Sequence, residues 1–172
     1  MKIVYISRLM GSRGEIALRL IEALPEIQQQ FNKVKLVVVG EGDKYSAICK
    51  SASEFNQTVG EKKVIVTGAR LDTPVLMKTA DVAVGVGRVA LEAMAMEKPV
   101  IIAGEAGFMG PLTPENFDKA RKHNFSGRGA QKVTDAHNMA SDIKQLLKDP
   151  VRCKELGKFG RQMVSKYFSI EV

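Results

Sequence analysis

Two glycines and a single carboxylate stand close together in one segment of this sequence. Residues 82–102 read VAVGVGRVALEAMAMEKPVII, in which a strand-like run passes through Gly85 and Gly87 into an apolar helical stretch that contains Glu92. Glycines at a strand-to-helix turn allow a ligand to approach the backbone closely, and the first N–H groups of the helix lack intrahelical partners. Such a turn can bind an anion such as phosphate.

The carboxylate of Glu92 has two explanations. Helical side chains lean toward the N-terminus of their helix, so Glu92 reaches back toward the glycine turn. Burying an ionised carboxylate without a partner costs free energy, and the two hydroxyls of a ribose would supply the donors that it needs. Alternatively, the helix is amphipathic and the side that carries Glu92 faces water.

The same glycines fit the pattern Gly-x-Gly-x-x-Ala of a dinucleotide-binding loop, which ends here at Ala90. Glu105 follows at roughly 20 residues, the offset expected for a ribose-binding acid. However, that fingerprint normally opens the first strand–helix unit of its domain, whereas this turn lies in the fourth. NAD binding is therefore the weaker interpretation.

Arg8 and Arg13 flank the start of the first predicted helix. Arg8 ends the first strand-like run, and Arg13 precedes Gly14, where the helix opens. Because guanidinium groups match phosphate oxygens, two of them above a helix N-terminus would clamp a diphosphate. Two surface arginines without a ligand are the alternative.

Apolar runs rich in Val and Ile alternate with helical stretches along the chain. Strands are predicted at residues 2–7, 34–39, 63–66, 81–84 and 99–103, with helices at about 15–24, 45–57, 72–79, around Glu92, 135–147 and 151–167. Pro25 is expected to end the first helix, and Asp72 is expected to cap the third. Residues 104–133, rich in Gly, Pro and Asn, are predicted to form a long irregular excursion.

This alternation predicts a parallel sheet with helices on both faces, and right-handed crossovers make it a doubly wound, Rossmann-like α/β domain. Ligands of such sheets bind at the carboxyl ends of the strands. The segments that directly follow strands are Arg8, Gly40-Glu-Gly42, Gly68-Ala-Arg70 and Gly85-Val-Gly87-Arg88. We therefore expect these segments to lie at one edge of the sheet.

Composition limits the class of protein. The 172 residues, of which 45% are hydrophobic and 26% charged, suit one globular domain. No apolar run approaches the ~20 residues of a membrane span. Two distant cysteines, Cys49 and Cys153, form no disulfide framework or zinc site, which indicates a cytoplasmic location.

The net charge of +7 falls entirely on residues 119–172, which hold twelve Lys and Arg against five Asp and Glu. This segment suits a phosphate-bearing ligand or an anionic membrane surface, or it is a solvated helix face. It has no aromatic-interleaved basic stripe, so nucleic acid is not an expected partner.

Five segments resemble the C-terminal half of a family 4 glycosyltransferase with the two-domain GT-B architecture. They are ISRLMGSRG…LIEALPEI, KLVVVGEGD, VIVTGARL, ADVAVGVGRVALEAMAMEKPVIIAGEAG and LLKDPVRCKELGKFGRQMV, in the family's order. The most specific part is LEAMA followed by a KPVI strand. The resemblance implies that residues 1–172 form a single nucleotide-sugar-binding domain and that the N-terminal acceptor domain is absent from this chain.

The resemblance also assigns roles to residues. In that family an Arg after the first strand and a Lys before a glycine grip the donor diphosphate, which implies catalytic roles for Arg8 and, with Lys replaced, Arg13. The second Glu of a Glu-x7-Glu motif binds ribose and corresponds to Glu92. The base would be framed by Thr67, Gly68, Arg70 and Leu71, the phosphate by the amides of Arg88, Val89 and Ala90, and the donor site is completed by Gly40, Gly42, Gly85 and Gly87.

Val84 departs from the family pattern. The first Glu of Glu-x7-Glu should stand there, and valine cannot bond a sugar hydroxyl. Glu105, within the segment Gly104-Glu-Ala-Gly-Phe-Met-Gly110, is expected to contact the donor sugar instead.

The resemblance implies a retaining hexosyltransferase that uses a UDP- or GDP-sugar in glycan or cell-surface polysaccharide synthesis, without a metal or other cofactor. The expected location is the cytoplasm, peripheral at the inner membrane face. The isolated chain is expected to bind nucleotide weakly and to transfer no sugar. A sugar-nucleotide epimerase of the same fold and a non-catalytic nucleotide-binding module are the alternatives.

Overall fold

The computed structural model describes residues 1–168. Its elements, in chain order, are β1 (Lys2–Ile6), α1 (Ser12–Gln28), β2 (Lys35–Val39), α2 (Tyr45–Val59), β3 (Val64–Val66), α3 (Thr73–Lys78), β4 (Val82–Gly85), α4 (Arg88–Ala95), β5 (Val100–Gly104), β6 (Gly107–Pro111), α5 (Phe117–Lys122), α6 (Ala136–Lys148) and α7 (Pro150–Phe168). The predicted strands and long helices are confirmed to within a few residues at each end.

The strands form one sheet in the order β3-β2-β1-β4-β5-β6. The first five are parallel, as predicted, because each is connected to the next by a helical crossover. Their side chains are buried on both faces, which explains their continuous apolar sequences. The doubly wound α/β architecture is thus confirmed.

The prediction of an irregular excursion over residues 104–133 is wrong. This stretch contains β6, which pairs antiparallel with β5, and the short helix α5. The connection from Gly104 to Gly107 is too short for a crossover, so the chain folds back as a hairpin. Gly107 and Gly110, both with positive φ, interrupt the alternation of apolar and polar residues by which a strand is predicted from sequence.

Helices cover both faces of the sheet. One core lies under α1, α2 and α6, and the second lies under α3, α4 and α5 together with most of the inward side of α7. Strands β1 and β4 are neighbours, yet the helices that follow them, α1 and α4, pack on opposite faces. The two connections therefore diverge, and a crevice forms at the carboxyl ends of these strands.

Pro25 does not end the first helix, contrary to the sequence prediction. Helix α1 continues to Gln28, and the N–H of Gln29 still donates to the carbonyl of Pro25 at 3.3 Å. Proline costs the helix its bond to the carbonyl four residues earlier. Leu24 and Ile27, which are completely buried, hold the last turn against the sheet and outweigh that loss.

Asp135 caps helix α6. Its carboxylate accepts from the N–H of Asn138 at 2.7 Å. We expect Asp135→Ala to lower the free energy of unfolding by about 1 kcal/mol in urea denaturation, with Asp135→Asn close to the parent. An equal loss in both variants would contradict this explanation.

None of the helices within residues 1–168 is long and apolar enough to cross a membrane.

Candidate functional site

The predicted site residues converge on the carboxyl edge of the sheet. The segments that follow β1 to β5 all begin at this edge because these strands are parallel. From β3 to β4 the sheet spans three strand spacings, roughly 14 Å at about 4.8 Å each. The edge is therefore long enough to hold an extended ligand, with one end at the β3 loop and the other at the crevice between β1 and β4.

Two helices begin in that crevice without a side-chain cap. The N-cap residues are Gly11 for α1 and Gly87 for α4, with φ values of +50° and +55°, and neither helix receives a side-chain cap hydrogen bond. Helices α2, α3 and α5 also lack a side-chain cap, whereas α6 is capped by Asp135, so the missing cap alone does not distinguish α1 and α4. Because α1 and α4 begin after the neighbouring strands β1 and β4, their positive dipole ends open onto the same crevice, where they favour an anion. At α1, the N–H of Gly11 already donates to the carboxylate of Asp43 at 3.1 Å.

Arg8 lies in the loop between β1 and α1, Arg13 lies in the first turn of α1, and both side chains are exposed. Within residues 1–168, neither guanidinium forms an ion pair with a carboxylate. The hydroxyl of Tyr5 donates to the backbone carbonyl of Arg13 at 2.8 Å. Burial raises the pKa of Tyr5 to about 12, so this hydroxyl remains protonated and fixes the first turn of α1 to β1.

Glu92 reaches back toward the N-terminus of α4, as predicted from the lean of helical side chains. Its Oε1 accepts from Nε of Arg88 at 2.9 Å. The side chain of Glu92 is 32% exposed and that of Arg88 90% exposed. The carboxylate thus has a protein donor and partial access to water, so the expectation that burial leaves it dependent on ligand hydroxyls is wrong. The i, i+4 spacing of the two residues was the signal that could have predicted this pair.

The glycines after β2 have a packing role that the sequence did not reveal. A Cβ atom on Gly40 would lie 1.8 Å from the carbonyl oxygen of Ser7, and one on Gly42 would lie 2.4 Å from that of Leu9. The N–H of Leu9 donates to the carbonyl of Glu41 at 2.9 Å. Gly40 and Gly42 therefore let the β2 loop press on the β1 loop that carries Arg8.

Gly85 has a similar packing role at the end of β4. A Cβ atom on it would lie 2.7 Å from Cγ1 of Val89 in the first turn of α4. Val89 is half-buried and Ala90 is fully buried beneath the helix. These residues seat the N-terminus of α4 directly on the strand.

The β3 loop places Thr67 and Gly68 at the edge, next to Gly40, whose N–H donates to the carbonyl of Gly68 at 2.9 Å. Arg70 forms a bidentate pair with Asp72, with both N···O distances at 2.7 Å. Arg70 lowers the pKa of Asp72, and this pairing explains why Asp72 makes no capping bond to α3, contrary to prediction. Leu71 is completely exposed.

Glu105 lies in the tight turn between β5 and β6, where its carboxylate accepts from the hydroxyl of Ser12 at 2.8 Å. Both residues line a cleft of about 770 Å³ that extends along α1 to Thr134. Val84 is completely buried in the core beneath α1. Glu105 is thus at the crevice, whereas position 84 presents no side chain to it.

A further loop reaches the crevice from α5. Asn124 and Phe125 have φ values of +51° and +52°, which strains residues other than glycine. The carbonyl of Phe125 accepts from the N–H of Gly87 at 3.1 Å, and a Cβ atom on Gly104 would lie 2.3 Å from the carbonyl oxygen of Ser126. The same loop contains Arg128, which is exposed.

The site can bind an extended, doubly charged anion. It offers two helix N-termini, the cations of Arg8 and Arg13, and the Arg88–Glu92 pair, which could exchange its partners for ligand groups. Residues 1–168 contain no group of three or more His, Cys, Asp or Glu side chains placed to hold a metal ion. Charge on a bound diphosphate would be met here by guanidinium groups and backbone dipoles.

The model of the family described as glycosyl transferases group 1 matches residues 1–149. The fold is similar to that of the C-terminal domain of a group 1 family glycosyl transferase, LpcC from Francisella tularensis, with 21% identity, a TM-score of 0.73, and 99% of this chain and 87% of that chain covered.

Two larger structures share the fold. A mutant of TarM from S. aureus, in complex with fondaparinux, α-GlcNAc-glycerol and UDP, is 23% identical with a TM-score of 0.71, and the match covers 98% of this chain and 32% of that chain. HepE from Anabaena, in complex with UDP-glucose, is 22% identical with a TM-score of 0.68, and the match covers 98% and 44% respectively. This chain therefore spans about a third of TarM and under half of HepE. A search of curated proteins found no match.

Proposed function

Because this chain belongs to the group 1 glycosyltransferases, we propose that it is the domain that binds the nucleotide-diphosphate sugar, a UDP- or GDP-sugar. The observation that carries the proposal is the convergence of two uncapped helix N-termini with Arg8 and Arg13 at the crevice between β1 and β4. TarM and HepE, which share the fold, were crystallised with UDP or UDP-glucose.

The ligand would lie along the carboxyl edge of the sheet. The base would rest near Thr67, Gly68 and the exposed Leu71, whose apolar side chain gains by covering a base. The ribose hydroxyls would bond Glu92, and the diphosphate would lie at the N-terminus of α4. In this position Arg88 either remains paired with Glu92 or swings to a phosphate.

The reaction would break the bond between the sugar and the terminal phosphate. Negative charge grows on the departing diphosphate as that bond breaks, so fixed cations at Arg8 and Arg13 stabilise the transition state more than the bound donor. The acceptor would be bound by an N-terminal domain, and transfer would need both domains. We propose a retaining transfer in cytoplasmic glycan or cell-surface polysaccharide synthesis.

The test of the ribose contact uses the parent and Glu92→Gln. A thermal-shift panel of UDP, GDP, ADP and NADH first selects the nucleotide, and we expect UDP or GDP to stabilise the chain more than NADH does. The selected diphosphate is then compared with its 2′-deoxy form by calorimetry. We expect the parent to prefer the ribose form by roughly tenfold, because a lost hydroxyl leaves a charged acceptor unpaired.

Glu92→Gln is expected to bind the two forms within about threefold of each other, because its amide oxygen still accepts from a hydroxyl but carries no charge. Arg88→Gln serves as the matched control, since it removes the ion pair but leaves the carboxylate. It should therefore retain the preference for ribose. A preference retained in Glu92→Gln would refute the role of Glu92, and stabilisation by NADH alone would refute the proposed donor class.

The buried Val84 favours a second candidate function, a nucleotide-binding module without transfer. A valine in the core offers the donor sugar no hydrogen bond, and Glu105 is already held by Ser12. If the chain joined to an N-terminal acceptor domain binds donor yet releases no nucleoside diphosphate with acceptors present, the non-catalytic module is the better description.

A further inference from the structure

The helices on the two faces of the sheet differ in charge. On the face of α1, α2 and α6, five Lys and Arg side chains are balanced by five Asp and Glu. On the face of α3, α4, α5 and α7, ten Lys and Arg stand against three Asp and Glu. The net charge of the helices is therefore concentrated on one side of the molecule.

Most of this charge lies on α5 and α7. These two helices hold eight cations and two acids. On α7, the exposed residues Lys154, Lys158 and Arg161 follow one another at i, i+4 and i+7, which places them in one row, and the guanidinium of Arg161 donates from this row to the carbonyl of Ala95 at 2.9 Å. The row extends over about 10 Å of helix at 1.5 Å per residue.

The cations of α5 continue this surface at the C-terminal end of α7. Lys119, Arg121 and Lys122 are exposed, and the guanidinium of Arg121 lies 4.4 Å from the centroid of the Tyr167 ring. Among the described residues 1–168, the ion pair formed by the charged side chains of α5 and α7 lies within α5, where Arg121 and Asp118 are 3.6 Å apart. The exposed cations of α5 and α7 are called the basic face below.

Exposed apolar side chains stand at both ends of α7. Val151 is 69% exposed, Tyr167 41% and Phe168 40%. Tyrosine rings, which have one polar and one apolar side, prefer the interface between water and lipid, and long lysine side chains reach from there to headgroups. Phe117 and Phe125, which also lie near these cations, are buried and therefore cannot stack on exposed bases.

We propose that the basic face docks on a bilayer surface that contains anionic lipids. The row of cations on α7 would lie over the phosphate headgroups. The exposed parts of Tyr167 and Phe168, whose rings pack against Phe117 and Phe125, would lie at the interface at the end of this row. The proposal is independent of nucleotide binding, and each can fail without the other.

The test measures co-sedimentation of the chain with vesicles. We expect binding to vesicles of phosphatidylcholine with 30% phosphatidylglycerol, weak binding to phosphatidylcholine alone, and a steep loss between 0.1 and 0.5 M salt because the charges are screened. Lys122→Gln/Lys154→Gln/Lys158→Gln is expected to reduce partitioning on the order of 100-fold, since each lysine near an anionic surface contributes roughly a factor of five.

The matched control is Lys33→Gln/Lys50→Gln/Lys62→Gln. These exposed lysines lie outside the basic face, and the variant has the same net charge as the test variant. It should partition within about threefold of the parent. Equal losses in the two variants would mean that net charge alone drives binding and would overturn the proposal.

Two further outcomes would also overturn the proposal. One is an absence of partitioning by the parent at 0.1 M salt. The other is tighter binding to single-stranded RNA or duplex DNA than to the anionic vesicles, which would assign the face to nucleic acid. Nucleotide binding by both triple variants, measured in solution, shows that they are folded and separates this result from a failure of the donor site.

Discussion

The double variant Arg8→Ala/Arg13→Ala is expected to bind the diphosphate nucleotide on the order of 1000-fold more weakly than the parent. Arg8 follows β1 and Arg13 lies in the first turn of α1, and each guanidinium would make charge-assisted hydrogen bonds to phosphate oxygens. Loss of one such residue should weaken binding by roughly 30-fold. Calorimetry of the selected nucleoside diphosphate checks both numbers.

The monophosphate provides the discriminating measurement. If Arg8 and Arg13 clamp the diphosphate, the double variant should lose far less affinity for the nucleoside monophosphate than for the diphosphate. The control matched to each single variant, Arg8→Ala or Arg13→Ala, is Arg152→Ala, which removes an exposed arginine from the first turn of α7. That turn lies at the amino edge of the sheet, opposite the site. Its neighbours Pro150 and Cys153 line a small cavity together with Met1 and Asp81, which precede β1 and β4. An equal loss of diphosphate affinity in the control would mean that the net charge of the protein, and not a clamp on the diphosphate, explains the effect.

The second large effect is on stability. Gly40→Ala is expected to lower the free energy of unfolding by about 3 kcal/mol or more. The added Cβ would lie 1.8 Å from the carbonyl oxygen of Ser7, and φ at this position is +143°. The backbone of two loops must separate to admit it, so we also expect the variant to lose nucleotide affinity through displacement of Arg8.

Gly60→Ala is the control that distinguishes the cost of a steric clash at Cβ from the cost of a positive φ angle. Gly60 also has a positive φ, +69°, but its Cβ position has no atom within 4 Å. That variant should lose only about 1 kcal/mol, the cost of the backbone conformation. Urea denaturation of both variants measures the difference. If they are equally destabilised, the close approach of the β1 and β2 loops is not what requires glycine at position 40.

Much of the fold was readable from local pattern. The Val- and Ile-rich runs predicted five strands, and the helical stretches between them fixed their parallel arrangement, because a crossover returns the chain in the same direction. Strand β6 escaped prediction for a local reason. It has five residues with glycine at both 107 and 110, and its partner β5 is what holds it extended. Similarly, Pro25 ends a helix by local rules, but the burial of Ile27 against the sheet overrides them.

The candidate site, like the fold, could be predicted only in part from the sequence. The types of residues after the strands predicted where Arg8, Arg13 and Glu92 would be found, since parallel strands bring these loops to one edge. The pairing of side chains was not accessible to that argument. Arg70 is held by Asp72 and Glu105 by Ser12, and the latter pair is separated by 93 positions in the chain.

The order of residues alone determined the parallel sheet, the edge at which polar groups gather and the excess of cations in the last third of the chain. These follow from periodicity, from connection length and from charge, which are all local properties. Tertiary packing decided which glycines are needed for close approach and which carboxylates already have donors. It also decided that the cations of α5 and α7 share one face. Distances between segments remote in sequence exist only after the chain has closed around its core.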